Sequence, residues 1–430
     1  MTNVDEMRVK NINAYGSILG NRWVQLIAAV IAMIMIANLQ YAWTLFTTPL
    51  VAQLKSSLAV IQYAFTLFIM FETFVQPAGG YLLDRFGSKL MFILAGLFIG
   101  VGWSMMGQVN SVSGLYFAYA MAGVGAAIIY GGCVSVAIRW FPDRRGMASG
   151  IIAGAFGLGS MPFVPVIDKL LQNSGVAQAF LVTGVLQGIV IIIVALILRY
   201  PVGSKMPSKK EKIAKLNQSQ IGFSPTQMLK TPNFWLIWSM FFSISVGGLI
   251  ITANTKPFGK EMGIASSIIV LAVMLNSLAN GIGRVFWGWI SDRLGRPRTM
   301  FISFGLNAIF LFILPVIGGN GILYVICMMC IMFTWGQLFS LFPPTNADVF
   351  GSTYAATNYG FLYSGKGIAS ILGGGLGAYL ASSYGWNVVF SCAAILSLYA
   401  CIMSLVLPRI PKPVKKQPVV SKEEVTKATD

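Results

Sequence analysis

Long apolar runs dominate this chain and limit what it can fold into. Twelve stretches of about 20 residues carry almost no charge, and they cover residues 24–47, 60–82, 90–109, 113–138, 147–170, 175–198, 234–255, 265–290, 299–318, 321–342, 356–382 and 386–407. A run of this length crosses the hydrocarbon core of a bilayer as a helix. Because 56% of the 430 residues are apolar and only 10% are charged, a soluble domain is excluded. The sequence predicts an all-α membrane protein with twelve transmembrane helices.

The basic residues are sorted by loop, and the sorting predicts the topology. Most of the 30 Lys and Arg residues lie in the N-terminal segment, in the loops that follow even-numbered runs, or in the C-terminal tail. The exceptions are Lys55, Lys169, Lys256 and Lys260, expected in the opposite loops, and Arg284 and Lys366 inside runs. By the positive-inside rule both termini are expected to be cytoplasmic, in a multi-pass protein of the cell membrane. The net charge of +17 then needs no nucleic acid as a partner, because the lipid bilayer accounts for it.

Two copies of one motif divide the chain. The sequence GYLLDRFGSK begins at Gly80 and GWISDRLGRPR begins at Gly288, so that every matched position is offset by 208 residues. A repeat of six runs predicts two six-helix bundles related by an axis along the membrane normal. The expected division is an N-terminal cytoplasmic segment 1–22, an N-terminal bundle 23–199, a cytoplasmic linker 200–233, a C-terminal bundle 234–408 and a cytoplasmic tail 409–430.

The repeated motif is typical of a gate. Its glycines allow close helix approach, and its acidic and basic residues lie where one helix ends near its neighbours. The residues of the two motif copies that would form such a gate are Gly80, Asp84, Arg85, Gly288, Asp292 and Arg293.

Two cations lie inside apolar runs. Arg284 and Lys366 each lie inside a predicted span, Lys366 one to two turns deeper than Arg284, and a charge near the middle of a span costs roughly 2.5 to 3.5 kcal/mol. Their presence indicates a polar interior that binds an anion. An ion pair with a neighbouring helix, or a side chain that reaches the membrane surface, is the alternative for each.

Several motifs identify the chain by resemblance. The twelve runs with two gating motifs resemble the major facilitator superfamily. The segments QYAWTL (40–45), RWFPDRRGMASG (139–150), FTWG (333–336), NYG (358–360) and GGGLG (373–377) are similar to the oxalate/formate antiporter family within it. The resemblance implies that Arg284 and Lys366 bind the carboxylates of the substrate, that the gating motifs latch the cytoplasmic helix ends, and that the protein acts as a monomer.

The rest of the expected binding site comes from both halves. Arg284 and Lys366 belong to the C-terminal half, and the repeat offset makes Gln76 the residue of the N-terminal half that is equivalent to Arg284. An Arg offers a planar fork for a carboxylate and a Lys offers a compact charge. Aromatic hydroxyl and indole groups would complete the site, although packing alone could also explain them. The full set of predicted substrate-binding residues is Arg284, Lys366, Gln40, Tyr41, Tyr130, Trp335, Tyr363 and Gln76.

Glu72 stands near the middle of the second run, one helical turn before Gln76. The resemblance implies an amide at this position. Three roles remain open: a neutralising partner for Arg284 or Lys366, a proton carrier, or no role. With two cations and no anion the site favours a di-anion such as oxalate, whereas an ionised Glu72 makes a mono-anion such as formate suitable.

Glycines cluster in two of the runs. Small residues let helices approach closely and move against each other. We expect this packing role for Gly150, Gly154, Gly157 and Gly159 in the fifth run and for Gly373, Gly374, Gly375 and Gly377 in the eleventh.

These features favour a secondary transporter that exchanges small carboxylates, with oxalate and formate as the expected pair. The alternatives are a proton-coupled monocarboxylate symporter for formate or lactate that uses Glu72, and an anion sensor that does not transport. No enzyme, metal or cofactor is expected, because the chain has no histidine and no cofactor motif. All 5 cysteines lie in apolar runs, where packing explains them.

Overall fold

The structure is a computed structural model that describes residues 16–201, 222–317, 319–351 and 354–413. All regular secondary structure in these residues is helical, and they form no strand. The α-helices are α1 (Arg22–Tyr41), α2 (Trp43–Leu54), α3 (Leu58–Phe74), α4 (Gln76–Phe86), α5 (Ser88–Met105), α6 (Val112–Trp140), α7 (Arg145–Leu158), α8 (Phe163–Asn173), α9 (Gly175–Ile197), α10 (Pro225–Met228), α11 (Pro232–Glu261), α12 (Ser266–Leu294), α13 (Arg296–Ile313), α14 (Gly321–Gly336), α15 (Leu338–Phe350), α16 (Ala355–Gly373), α17 (Gly375–Tyr384) and α18 (Trp386–Val406).

Apart from the short α10, the described helices form twelve rods that follow the twelve predicted runs. Seven rods are single helices, and five consist of two consecutive helices: α1–α2, α3–α4, α7–α8, α14–α15 and α16–α17. By length and composition, 10 of the rods are able to cross a membrane, and α3 is a shorter apolar helix. The two rods outside these 10 are the second and the eleventh, which carry Glu72 and Lys366. The prediction of an all-α fold of two six-helix bundles is confirmed.

A proline lies at two of the five breaks within rods, and three of the breaks lie near the predicted site. Pro77 lies in the first turn of α4 and Pro162 caps α8, where the missing backbone N–H prevents a continuous helix. Three breaks fall within two residues of a predicted binding residue, next to Tyr41, Gln76 and Trp335. Interrupted helices of this kind line substrate sites in membrane transporters.

The two halves meet along related helix pairs. Contacts between them are concentrated where α3 packs on α16 and α17, where α7 packs on α12, and where α2 packs on α11. A repeat of six rods relates the second to the eighth and the fifth to the eleventh. The α3–α16 and α12–α7 interfaces are therefore equivalent in the two halves.

The repeat is also visible in the backbone. Gly87 ends α4 with φ 83° and ψ 155°, and Gly295 ends α12 with φ 81° and ψ 153°. A side chain is disfavoured at these positive φ values, so both motif copies need glycine there. The two residues are separated by the same 208 positions as the motifs.

Three lysines that were expected in loops lie within helices. Lys169 lies within α8, and Lys256 and Lys260 lie within α11, which runs to Glu261 and not to residue 255. Only Lys55 of this group follows a helix end. A charged side chain does not end a helix when its head can reach a polar group, and Lys256 Nζ donates to the Leu45 carbonyl at 2.8 Å.

Most of the predicted N-terminal segment, linker and tail lie outside the described residues. The described part of the linker contains α10, which begins with a capping box. The Ser224 hydroxyl accepts from the Gln227 backbone N–H, and Gln227 Oε1 accepts from the Ser224 backbone N–H. The domain boundaries stay predictions.

Candidate functional site

Lys366 is buried at the interface between α16 and α3, and its ammonium group is saturated with partners. Its Nζ donates to Glu72 Oε2 at 2.9 Å, to Gln40 Oε1 at 2.9 Å and to Tyr363 Oη at 3.3 Å. Lys366 is 0% exposed and Glu72 is 1% exposed. An ammonium has three donors, so every one of them is used. The structure therefore brings four of the predicted residues into one contact group.

Two atoms of this group remain without a hydrogen-bond partner among the described residues. They are Glu72 Oε1 and Gln40 Nε2. A buried carboxylate oxygen and a buried amide N–H each lose hydration without compensation. The group thus offers one acceptor and one donor that the protein itself does not use.

Arg284 lies at the equivalent interface, between α12 and α7, and has a different environment. Its Nε donates to Asn280 Oδ1 at 3.1 Å, one NH2 group donates to the Ala153 carbonyl at 2.6 Å, and the other donates to Tyr41 Oη at 3.1 Å. Arg284 is 4% exposed, so it does not reach a surface. No carboxylate of the described residues forms an ion pair with it.

An aromatic ring connects the two cations. The Phe339 ring centroid lies 4.1 Å from Arg284 Cζ and 5.9 Å from Lys366 Nζ. Phe156 lies 5.8 Å from Arg284 Cζ and makes edge contacts with Tyr41 and Tyr130. Cations over aromatic faces gain electrostatic stabilisation. The aromatic side chains thus form a continuous wall behind both charges.

Tyr130 belongs to this wall, whereas Trp335 and Gln76 stand at its margin. Tyr130 stacks on Tyr363 with ring centroids 6.3 Å apart. Trp335 contacts Phe339 edge to face, and its buried Nε1 has no partner among the described residues. Gln76 is half-buried beside Gly131 and forms no hydrogen bond with either cation in the described part of the chain.

A small polar cavity lies beside Tyr41, one of the hydrogen-bond partners of Arg284. It has a volume of about 10 Å³ and is lined by Tyr41, Thr44, Thr252, Thr255, Val273, Asn276, Ser277 and Met332. This volume is close to the minimum for one water molecule. It does not hold a carboxylate, and both cations are buried, so a carboxylate reaches them only when the halves separate.

Hydrogen bonds between the halves close the side of the site toward α2. Gln62 Nε2 donates to the Ala253 carbonyl at 2.7 Å and to Asn254 Oδ1 at 3.0 Å. Trp43 Nε1 donates to Gln62 Oε1 at 2.8 Å. The amide of Gln62 is thereby fully used, and it holds α3 against α11.

The gating residues lie away from this cluster. Arg85 and Arg293 are exposed, and each is near an aromatic ring of its own helix, Phe86 and Trp289 respectively. Asp292 is exposed, and Gly288 lies close to Ser340 on α15. Gly80 and Asp84 fall outside the residues whose surroundings the structure describes. The gating role stays a prediction.

The glycine clusters divide into contacts and open positions. A Cβ on Gly157 would lie 2.9 Å from Asn280 Oδ1, and one on Gly159 would overlap Ala37. Gly150 and Gly154 have nothing within 4 Å of such a Cβ, so the expected packing is wrong for these two. In the eleventh rod, Gly373 packs on Leu249 and Gly375 packs on Tyr63, whereas Gly374 packs on Thr66.

Sequence reasoning did not select Phe339 or the Ala153 carbonyl as binding groups. Phe339 was detectable as an aromatic residue four positions after Trp335 on the same rod. Every residue has a backbone carbonyl, so the sequence does not mark the one at Ala153. Its role depends on Arg284 approaching from the other half of the protein. In the described residues, no group of three or more His, Cys, Asp or Glu could hold a metal ion.

Paired helical rods in two repeated halves, with buried cations where the halves meet, define a secondary transporter of the membrane. The model of the major facilitator superfamily matches residues 26–374 and 257–429. The chain belongs to the major facilitator superfamily. It is a multi-pass membrane transporter and not an enzyme.

Individual relatives extend this comparison. The chain is 44% identical to the oxalate:formate antiporter of Oxalobacter formigenes, over 95% of this chain and 96% of the relative. It is 25% identical to an uncharacterised transporter of the superfamily from Escherichia coli (strain K12), over 81% of this chain and 86% of the relative. Monocarboxylate transporter 12 of Xenopus laevis is 21% identical to the chain, over 80% of this chain and 78% of the relative.

Proposed function

We propose that this protein exchanges small carboxylates across a membrane by alternating access, with oxalate and formate as the substrate pair. One observation carries the proposal: Arg284 is buried between the halves, and no carboxylate of the described residues pairs with it. A buried cation is stable when an anion meets it. The similarity to an oxalate:formate antiporter over almost the whole chain supports the same substrate class.

The contacts suggest how each residue acts. The Arg284 guanidinium binds one carboxylate with two parallel N–H groups, and Tyr41 holds the fork from the N-terminal half. Lys366 exchanges its bond to Gln40 or Tyr363 for a bond to the substrate. Substrate contacts then come from both halves, so that binding draws the halves together on one side while the other side is released.

The location and assembly are part of the same proposal. We place the chain in the cell membrane with both termini in the cytoplasm, because the basic residues concentrate in the N-terminal segment, the linker and the tail. The closing hydrogen bonds of Gln62 are then on the extracellular side. The protein acts as a monomer, since each chain contains both halves of the site.

The test is counterflow in proteoliposomes. Vesicles that contain purified protein are loaded with unlabelled oxalate, and the entry of labelled oxalate is followed at equal pH on both sides. We expect labelled oxalate to accumulate transiently and external formate to reduce its entry. A Lys366→Gln variant that inserts normally and retains full counterflow would disprove the assignment of the site.

A proton-coupled monocarboxylate symporter is the competing function. It predicts net uptake of formate or lactate into empty vesicles under an inward proton gradient. Exchange without net uptake supports the antiporter, whereas net proton-driven uptake without any oxalate exchange supports the symporter. The close similarity to an antiporter favours the first outcome.

A further inference from the structure

Three charged side chains are buried in the part of the chain that the structure describes: Glu72, Arg284 and Lys366. All three face the interface between the halves. With Glu72 ionised, their sum is one positive charge. An anion with a single negative charge neutralises the cluster, whereas an anion with two leaves one negative charge in excess.

The hydrogen-bonding capacity of the Glu72 carboxylate is only partly used at this point. Its Oε2 accepts from Lys366, but its buried Oε1 has no partner among the described residues. A buried anionic oxygen without a donor is destabilised. If Oε1 takes up a proton, its O–H group can donate a hydrogen bond to an oxygen of a bound carboxylate. The oxygen without a partner then becomes part of a hydrogen bond.

Among the described residues, no other group that interacts with Glu72 could take up a further proton. Lys366 is the cation in contact with it, and Arg284 acts on Lys366 through space. The remaining titratable groups that interact with Glu72 come from α1, α6 and α16 and are Tyr41, Tyr119, Tyr130 and Tyr363. Tyrosine hydroxyls stay protonated in the neutral range. This leaves the Glu72 carboxylate as the group whose protonation would change the charge of the cluster.

We propose that Glu72 binds one proton when a dicarboxylate enters the site and releases it when a monocarboxylate takes its place. This inference rests on the proposed oxalate and formate exchange. An O–H bond forms at Glu72 Oε1 on the side where oxalate binds, and it breaks on the side where oxalate leaves. Each oxalate di-anion then travels with one proton, and formate travels alone.

The proposal makes the exchange electrically silent. One oxalate with one proton carries a charge of −1, and the formate that moves in the opposite direction carries the same charge. Without the proton, each cycle would move one net negative charge. A potential of 100 mV would then shift the equilibrium distribution of oxalate against formate by roughly 50-fold, since it contributes about 2.3 kcal/mol per charge.

The experiment measures this distribution in proteoliposomes with oxalate and formate on opposite sides. A potassium gradient with valinomycin sets the membrane potential, and the pH difference is set independently. We expect no response to potential and a shift of about tenfold per unit of pH difference, as required for one coupled proton. A shift of about 50-fold per 100 mV without a pH effect would overturn the role of Glu72.

The Glu72→Gln variant provides the matched control, because an amide cannot take up the proton. We expect its oxalate and formate distribution to respond to potential and to lose the pH response, and we expect Glu72→Asp to retain the pH response. Recovery in the vesicle membrane and thermal melting in detergent report whether each variant is inserted and folded. A pH response that survives in Glu72→Gln contradicts the proposal.

The outcomes distinguish failure of the proton coupling from failure of the proposed oxalate and formate exchange. If the wild-type protein exchanges no oxalate for formate, the proposed function fails and the inference fails with it. If exchange occurs but follows the membrane potential, only the inference fails. The wild-type measurements decide the matter even if a variant does not fold.

Discussion

The two cation sites occupy equivalent interfaces, yet they are stabilised in different ways. At the α3–α16 interface, Lys366 meets a carboxylate, an amide oxygen and a phenol oxygen. At the α12–α7 interface, Arg284 meets an amide oxygen, a backbone carbonyl and a phenol oxygen, with Phe339 against its face. One site is neutralised within the protein and the other is solvated by neutral groups only.

This difference assigns separate tasks to the two cations. The charge of Lys366 is balanced before any ligand arrives, so a ligand there competes with the protein for hydrogen bonds. The charge of Arg284 is stabilised only by dipoles, so an anion adds a new ion pair. The repeat sharpens the contrast, because Glu72 and Asn280 occupy equivalent positions and only one of them carries a charge.

Removal of Arg284 should have the largest effect on transport. An Arg284→Gln variant loses the ion pair with the substrate, and truncation of a buried charged partner costs about 2 to 5 kcal/mol. We therefore expect oxalate counterflow to fall by roughly 30- to 5,000-fold. Arg284→Lys keeps the charge without the fork and should fall between this variant and the wild type.

The control for this prediction is Arg409→Gln, which removes an exposed cation at the C-terminal end of the last rod. It should insert and transport as the wild type does. Equal counterflow in Arg284→Gln and Arg409→Gln would remove Arg284 from the site.

Removal of Lys366 should affect stability as well as transport. Lys366→Gln leaves Glu72 as a buried, uncompensated carboxylate, which costs about 3 to 5 kcal/mol. We expect a clear loss of thermal stability in detergent. The double variant Glu72→Gln with Lys366→Gln should recover most of it while counterflow stays lost. Equal melting of the single and double variants would contradict the importance of the ion pair.

A smaller change tests the support of Arg284. In Gly157→Ala, the new Cβ lies 2.9 Å from Asn280 Oδ1 and 3.1 Å from Arg284 Nε, and overpacking of this kind costs about 1 to 3 kcal/mol. We expect roughly a tenfold loss of exchange rate. Gly154→Ala on the same helix meets nothing within 4 Å and should leave the rate unchanged. Similar rates in the two variants would show that the packing of α7 on α12 does not position Arg284.

The smallest expected effect concerns the ring that both cations share. Phe339→Leu keeps an apolar side chain but loses the cation–π contacts, which contribute about 0.5 to 2 kcal/mol. We expect the apparent KM for oxalate to rise by roughly 2- to 30-fold. Phe304→Leu, in a buried ring pair with Phe342, should lower stability without this change in KM.

The sequence predicted the parts of the molecule that depend on local pattern. Apolar length gave the twelve rods, and the repeat placed Gly87 and Gly295 in equivalent turns. The rod breaks at Ala42 and Gln337 were not predictable, because neither residue is a glycine or a proline. The ends of α8 and α11 were misjudged, since a lysine inside a helix has the same local pattern as a lysine in a loop.

The site was predictable in its residue types and not in its pairing. A charge inside an apolar run signals itself, so Arg284, Lys366 and Glu72 were all visible. The choice of Lys366 over Arg284 as the partner of Glu72 depends on which helices meet across the halves. That information is carried by contacts separated by 294 residues, and no short-range pattern contains it.

The saturation of Lys366 has a consequence for how the substrate is released. All three of its N–H groups are occupied in the enclosed state, so a substrate that reaches it replaces a bond and does not add one. The gain in binding free energy at Lys366 is therefore only the difference between two similar contacts. Lys366 therefore releases a carboxylate at little cost on the far side, and retention of the substrate depends mainly on Arg284.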